Sequence, residues 1–467
     1  MRLSRSTPAT LLVAVAGLSL AACSQQAPAQ DPTTPPGTSD ESEPAQPPAG
    51  DPETLEGWGA TMRERYEGVE LTIAAHSHPS IEAFRTMDAD FTALTGITVN
   101  WDVMEQTSLK NKQLLDFTSN TGIYDVHLVD PFAQAEFVDK GVIAPLDTYL
   151  DDAVAVPSWF DYEDIVPAYS SVDEFDGGIY GLPIAGETRF LGYRTDLFER
   201  YDKTPPATMA EFLELAEFFD GQEDGLYGVA MRAQRGIHFG SGLMSIMYPL
   251  TDGFIDQSTG AATMDDPEMV AALQFYVDLL SYGPPDIANY THEEALSAFA
   301  AGSTAMWFDA SAIAPRLLDP EQSEIADVVD FVTPPDGPKG EAAAIAGWRM
   351  ALASKSENPG AAMAFMTYLA SKEMAPTYVA AGGVPTRVSQ FSAPSTPSEE
   401  KIFPVVLASL EKAKAAADRG VSYVPANPNL GQIMDRIGYY GSLAQAGELT
   451  VQEAAEQAQA ELVELTS

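Results

Sequence analysis

"VELTIAAHSHPSIEAFRTMDADFTALTGITVNWDVM", residues 69–104, is the stretch on which the fold of this chain turns. It opens on a short apolar run, Val69 to Ala75. Phe84, Met87, Phe91 and Leu94 then recur at helical spacing, and Gly96 supplies a stop. Ile97, Val99, Trp101 and Val103 alternate, which is the two-residue period of a half-buried strand. Further on, a helical stretch over 109–117 leads into the apolar "YDVHLVD" (124–130), and Phe132 to Lys140 reads as another helix stopped by Gly141. Strand and helix alternating three times imply a mostly parallel α/β sheet. In such sheets ligands gather outside the carboxyl ends of the strands.

That rule makes His76, Ser77 and His78 interesting, because they follow the first strand directly. Asp130 closes the third, so both segments should face one crevice. Rings at His-x-His spacing on an extended segment share a side, which raises a metal site as one reading. The sequence offers no second cysteine, no His-Glu-x-x-His and no His-rich tract to complete the coordination, so no metal ligands are assigned. Pocket-lining or helix-capping roles are expected instead. Pro79, Ser80 as a cap and Glu82 in the first turn suit a helix start there. His127, inside an apolar strand, reads as a core histidine, and Met244, Met247, Met264 and Met269 read as core fillers.

The N-terminus carries Arg2 and Arg5, an apolar stretch over 11–20 too short to span a bilayer, and Leu20-Ala21-Ala22-Cys23. This looks like a lipoprotein signal with its lipobox (1–23), in which Cys23 is acylated. Cys23 is the sole cysteine of 467 residues, so no disulfide framework exists. Residues 24–53 hold eight prolines and no aromatic. They cannot bury enough apolar area to offset ordering entropy, so 24–57 is expected to be a disordered tether. The roughly 400 residues that follow suffice for two lobes with separate cores.

The formal charge is −43, from 25 basic and 68 acidic residues. Such a body repels nucleic acid and anionic membrane surfaces, which excludes both as partners on electrostatic grounds. It also disfavours an anionic ligand.

Longer phrases bear on function. "YGLPIAGETRFLGYRTDLFERYDKTPPATMAEFLELAEFF" (180–219) runs from a glycine-proline turn into a strand, then through a proline-marked loop to a helix starting near Thr208. "GVAMRAQRGIHFGSG" (228–242), "YGPPD" (282–286), "ALSAFAAGSTAMWFDAS" (295–311) and "AGWRMALASKSENPGAAMAFMTYLASKE" (346–373) follow in order. Together these resemble family 1 extracellular solute-binding proteins, the receptors of bacterial ABC sugar importers, across nearly all of 69–392. "GVAMRAQRG", "YGPP" and "FAAGSTAMWFDAS" look most like receptors for polyols and small sugars. Ile237 and His238 stand where that group tends to have an aromatic residue.

The resemblance implies an α/β, two-lobe periplasmic-binding-protein-like fold with the ligand enclosed between discontinuous lobes. Crossings are expected near 183–188, 303–308 and 368–372, giving lobe one as 69–185 with 307–370 and lobe two as 186–306 with 371–467. It further implies a lipid-anchored, monomeric, extracytoplasmic receptor that needs no cofactor and hands a carbohydrate to the ABC permease by hinge closure.

Sugar hydroxyls donate and accept at once, so carboxylates and arginines bind them in pairs while an aromatic plane packs the apolar face. Asp130, Glu187, Arg232, Trp307, Asp309, Trp348 and Arg387 meet that description at strand ends and crossings, with His76, Ser77, His78 and His238 beside them and Tyr423 more remote. Arg189, Arg194 and Arg349 read as structural ion pairs. Two rival readings stay open: a secreted glycoside-acting enzyme, which needs two carboxylates across a bond, and a metal-binding receptor using His76 and His78.

Overall fold

Ten strands form two sheets: β1 (Glu70–His76), β2 (Thr98–Met104), β3 (Val126–Val129), β4 (Leu182–Pro183), β5 (Glu187–Arg194), β6 (Tyr227–Ala230), β7 (Thr304–Ala310), β8 (Val329–Val332), β9 (Ile345–Ala346) and β10 (Arg349–Leu352). The computed structural model describes residues 51–467; the signal peptide, Cys23 and most of the tether expected above lie outside the described residues. The first sheet runs β2-β1-β3-β10-β4. β1 is parallel to both neighbours, with Ile73 opposite Trp101 on one side and Val126 on the other. β10 closes antiparallel on β3. The second sheet runs β8-β5-β7-β6, with β9 added to β5.

Each sheet has its own core. Leu71, Ile73, Phe84, Phe91, Val126, Met350 and Phe365 pack around the first. Phe190, Phe212, Phe239, Trp307, Phe331 and Ile437 pack around the second, together with Met244, Met247, Met264 and Met269. All seven residues of β7 are buried, the pattern of a strand covered on both faces. Burying one such Leu, Phe or Met stabilises by about 1.5–3 kcal/mol, so each lobe has enough apolar material to hold itself together.

Local chemistry moves some expected boundaries. The helix read through Phe84 to Leu94 is two, Pro79–Arg85 and Asp88–Thr95. Thr86 explains the break: its hydroxyl donates to Ala83 O at 2.7 Å, and Met87 N bonds back to Phe84 O at 2.8 Å, tightening the last turn. The segment expected to be a tether reaches too far, since a helix begins at Leu55. Thr54 caps a helix over Leu55–Tyr66 by accepting from Gly57 N, and Trp58 is fully buried edge-on against Trp159 with ring centres 5.4 Å apart. One buried tryptophan is enough to dock a short helix.

Three crossings join the lobes, and two lie away from the expected places. The first falls between β4 and β5, within 183–188 as expected. The second does not fall at 303–308, because β7 and β8 both pair into the second sheet; it falls between β9 and β10. The third is not at 368–372, because Tyr378 still packs in the first core while Phe391 belongs to the second. Residues 307–344 therefore lie with lobe two, and 371–384 with lobe one. The crossings touch one another: a Cβ on Gly186 would meet Pro385 O at 2.1 Å, and one on Gly347 (φ +125°) would meet Ala185 O at 1.8 Å. Contact that close requires glycine.

Candidate functional site

β1 delivers His76 to the edge of the first sheet, and the chain then turns into the helix Pro79–Arg85. His78, rather than Ser80, caps that helix: its Nδ1 accepts from Ser80 N at 3.1 Å. Ser80 instead joins its hydroxyl to Tyr378 at 2.6 Å. The other nitrogen of His78 lies 3.1 Å from Glu187 Oε1, at the start of β5 in the second sheet. This contact bridges the two lobes. Burial works against the Glu187 charge, but His78, Arg189 and Arg232 hold its carboxyl below the usual range.

Asp130 ends β3 and caps the next helix, accepting from Phe132 N at 2.8 Å and from Gln106 at 2.9 Å. Burial pushes its carboxyl upward. Asp309 is wholly buried on β7. Arg232 grips it with Nε to Oδ2 at 2.8 Å and Nη2 to Oδ1 at 2.7 Å, while Arg189 donates to Oδ1. Burial alone would raise this acid; the two guanidiniums win and hold it far below the carboxylate range. Asp309 therefore fixes the two arginines without itself meeting the opening.

These groups surround a cleft of about 380 Å³. His76, Ser77, His78, Asp130, Glu187, Arg232, His238 and Trp348 line it. The His76 ring lies on Trp348, centre to centre 4.0 Å. Two residues singled out from the sequence lie elsewhere. Trp307 is in the second core, stacked against Phe299, because its strand is covered on both faces. Arg387 sits at the third crossing, donating to Ala370 O and, at 2.6 Å, to Asp161 O, with its guanidinium over Phe160. It ties the crossing to the first lobe, and burial lowers its pKa to about 10.

Sequence reasoning missed other lining residues. Arg189 makes the ion pair expected of it, yet also faces the cleft; it follows Glu187 by two residues on a strand, so both share a face. Ser241 and His292 also line the cleft. The signal for His292 was its place just after Thr291, which caps the helix His292–Ala300 together with Glu294. Arg194 and Arg349 pair with Asp196 and Asp173 away from the cleft. His127 is buried in β3, its pKa pushed down to about 4 by burial. Among the described residues no group of three or more His, Cys, Asp or Glu side chains is arranged to hold a metal ion. A larger groove of about 700 Å³ includes Tyr423, but its walls, such as Val166, Leu410 and Val421, are chiefly aliphatic. The smaller cleft holds the paired carboxylates and arginines that bind hydroxyls, and is the candidate site.

The model of the bacterial extracellular solute-binding protein family matches residues 76–376. The chain belongs to that family. Its strand ends, crossings and cleft all fall within or beside the matched span. A mannitol-binding protein of Pseudomonas aeruginosa is 27% identical over 288 residues, which is 59% of this chain and 63% of that relative, so the match spans just under two thirds of the relative's length. Two solved solute-binding proteins are similar throughout. One from Agrobacterium radiobacter K84, in complex with ribitol, is 26% identical with a TM-score of 0.78 over 86% of this chain and 99% of the other. One from Agrobacterium vitis S4, with bound D-mannitol, is 27% identical with a TM-score of 0.71 over 85% and 98%. The family member described here thus shares its two-lobe architecture with binding proteins.

Proposed function

We propose that this protein is the extracytoplasmic receptor of an ABC importer for an uncharged acyclic polyol, captured in the 380 Å³ cleft by closure of the two lobes. One observation carries the reading. His76 Nε2 from the first lobe and Arg189 Nε from the second are buried at the cleft, and among the described residues neither has a hydrogen-bond partner. Buried polar atoms are normally satisfied, so an unpartnered imidazole nitrogen on one wall and an unpartnered guanidinium N–H on the other suit a ligand whose hydroxyls both donate and accept. Closure lets both walls be satisfied at once, which is why ligand favours the closed form. Ribitol and mannitol in the solved relatives agree with this chemistry.

The carboxylates argue for binding without turnover. A glycoside-cleaving pair needs one carboxyl free to donate a proton and another free to act as nucleophile or base. Here the cleft carboxylates are all engaged: Glu187 by His78, Asp130 by Phe132 N and Gln106, Glu82 by Arg85 and Glu293 by Arg316, with Asp309 behind them held by two arginines. Cys23, if acylated, would hold the receptor at the membrane close to its permease, raising the local concentration.

The deciding experiment is a thermal-shift screen of the membrane-extracted protein over ribitol, D-mannitol, erythritol, maltose and a free amino acid, with chromatography of the recovered ligand. A polyol at 100 times its Kd should add about 2.7 kcal/mol of stability and return unchanged. Response to maltose or the amino acid alone, or recovery of a converted product, would refute the reading. The intact mass from the same preparation reports whether Cys23 is the acylated first residue.

A further inference from the structure

Four of the chain's five histidines line this single cleft. His76 and His78 come from the end of β1, and His238 and His292 from the first turns of the helices Ile237–Met247 and His292–Ala300. His78 is committed, capping one helix and meeting Glu187. His76, His238 and His292 also face the cleft. His76 packs on Trp348 with its Nε2 unpartnered among the described residues. The rings of His238 and His292 lie 6.2 Å apart, and His292 Nε2 is 3.4 Å from Glu293. A neutral imidazole carries one donor and one acceptor nitrogen, as a hydroxyl both donates and accepts.

We propose that His76, His238 and His292, as neutral imidazoles, hydrogen-bond the hydroxyls of a bound polyol, so that the cleft takes its ligand at neutral pH and releases it on acidification. This rests on the polyol reading of the cleft. The charged surroundings favour the neutral form. His76 faces His78, Glu187 and His292; His238 faces Arg232, His292, Asp309 and Glu294; His292 faces Arg232, Asp309, Glu293 and Arg189. Asp309 is already shared by two arginines, Glu187 by His78, and Glu293, beside His292, by Arg316, so each nearby carboxylate already has a partner besides an imidazolium. Burial pushes His76 down to about 3 and His238 to about 4, and lowers His292, which Arg232 lowers further.

The sign follows from proton counting. An imidazole in water titrates near 6.5, so where parting of the lobes returns these rings to solvent, the open form binds protons below that pH that the packed form must shed. Affinity is therefore full above about pH 6.5 and falls as the pH drops. His76 and His238, lowered to about 3 and about 4, should each cost about thirtyfold in association constant between about pH 7.5 and pH 5, and His292 adds a loss in the same direction.

Calorimetric titration with ribitol and D-mannitol at those two pH values tests this, with a cooperative melt confirmed at each. Glutamine keeps a donor and an acceptor but does not titrate, so His76→Gln, His238→Gln and His292→Gln should each bind more weakly at pH 7.5, the first two each losing about thirtyfold of the acid-induced fall and the third a part of it. Asp130 also faces the cleft with a raised carboxyl; Asp130→Asn should leave the fall in place. Parent affinities equal within about threefold at both pH values would overturn the proposal, as would glutamine variants that keep the full fall or Asp130→Asn abolishing it. Absence of binding by either polyol at pH 7.5 strikes the functional reading itself, a distinct result.

Discussion

Asp309 accepts three hydrogen bonds from Arg232 and one from Arg189 while lying entirely out of solvent. Deleting one member of a buried ion cluster strands the rest, typically at about 3–5 kcal/mol. Asp309→Ala should therefore lower the melting temperature markedly and also abolish the ligand response, since both arginines lose their aim. Trp348→Ala removes a ring that is 8% exposed at the cleft wall and carries no charge. Its melt should stay cooperative but fall as well, by the roughly 3–5 kcal/mol of truncating a buried tryptophan, with the ligand shift gone. Parallel melting curves with and without polyol check both, and a parent-like shift in either variant refutes the site. At this scale the sequence named Asp309 as a ligand-binding acid, whereas it lies out of solvent under two arginines, since an acid inside a strand covered on both faces must have a partner. The sequence was poor at separating Trp307 from Trp348. Trp307 lies within β7 and Trp348 in the crossing between β9 and β10, and which of them faces the cleft depends on what covers each segment, which is tertiary information.

The crossings show how elements carry the site. Glu187, Arg189 and Trp348 all lie within three residues of Gly186 or Gly347, the glycines where the crossings press together. Gly347→Ala places a methyl against Ala185 O in a backbone conformation that L-residues rarely adopt. The substitution should cost at least about 1–3 kcal/mol of stability. It should weaken polyol binding although residue 347 offers no side chain to the ligand. A variant with parent stability and affinity, measured by denaturant melts and calorimetry, would show that the crossings are free to part there. The alternation of strand and helix over 69–141 was legible because periodicity is local. The assignment of β7 and β8 to the second sheet was not: strand partners far apart in sequence leave no trace in spacing, so the second and third crossings were expected too early.

For the whole molecule, two cores and three thin crossings make relative motion of the lobes the softest deformation available. Residues on both walls face the same cleft, and His78 reaches Glu187 across it, so each lobe holds half of the polar set. A ligand that bridges the walls gains its second set of hydrogen bonds only when the lobes are together, and that differential affinity is what shifts the population. Small-angle scattering should accordingly record a smaller radius of gyration on saturation with ribitol or D-mannitol. Trp348→Ala at the same ligand concentration should keep the unliganded radius, because it lacks the affinity that drives the shift. The acidic surface sharpens the expectation: with a formal charge of −43, self-repulsion opposes any compaction, and added salt screens it. Raising ionic strength should therefore ease closure and tighten polyol binding modestly, whereas a cleft recognising an anion through exposed arginines would bind more weakly as salt is added. An unchanged radius with bound polyol would mean that capture proceeds in a preformed pocket and that the crossings do not act as a hinge.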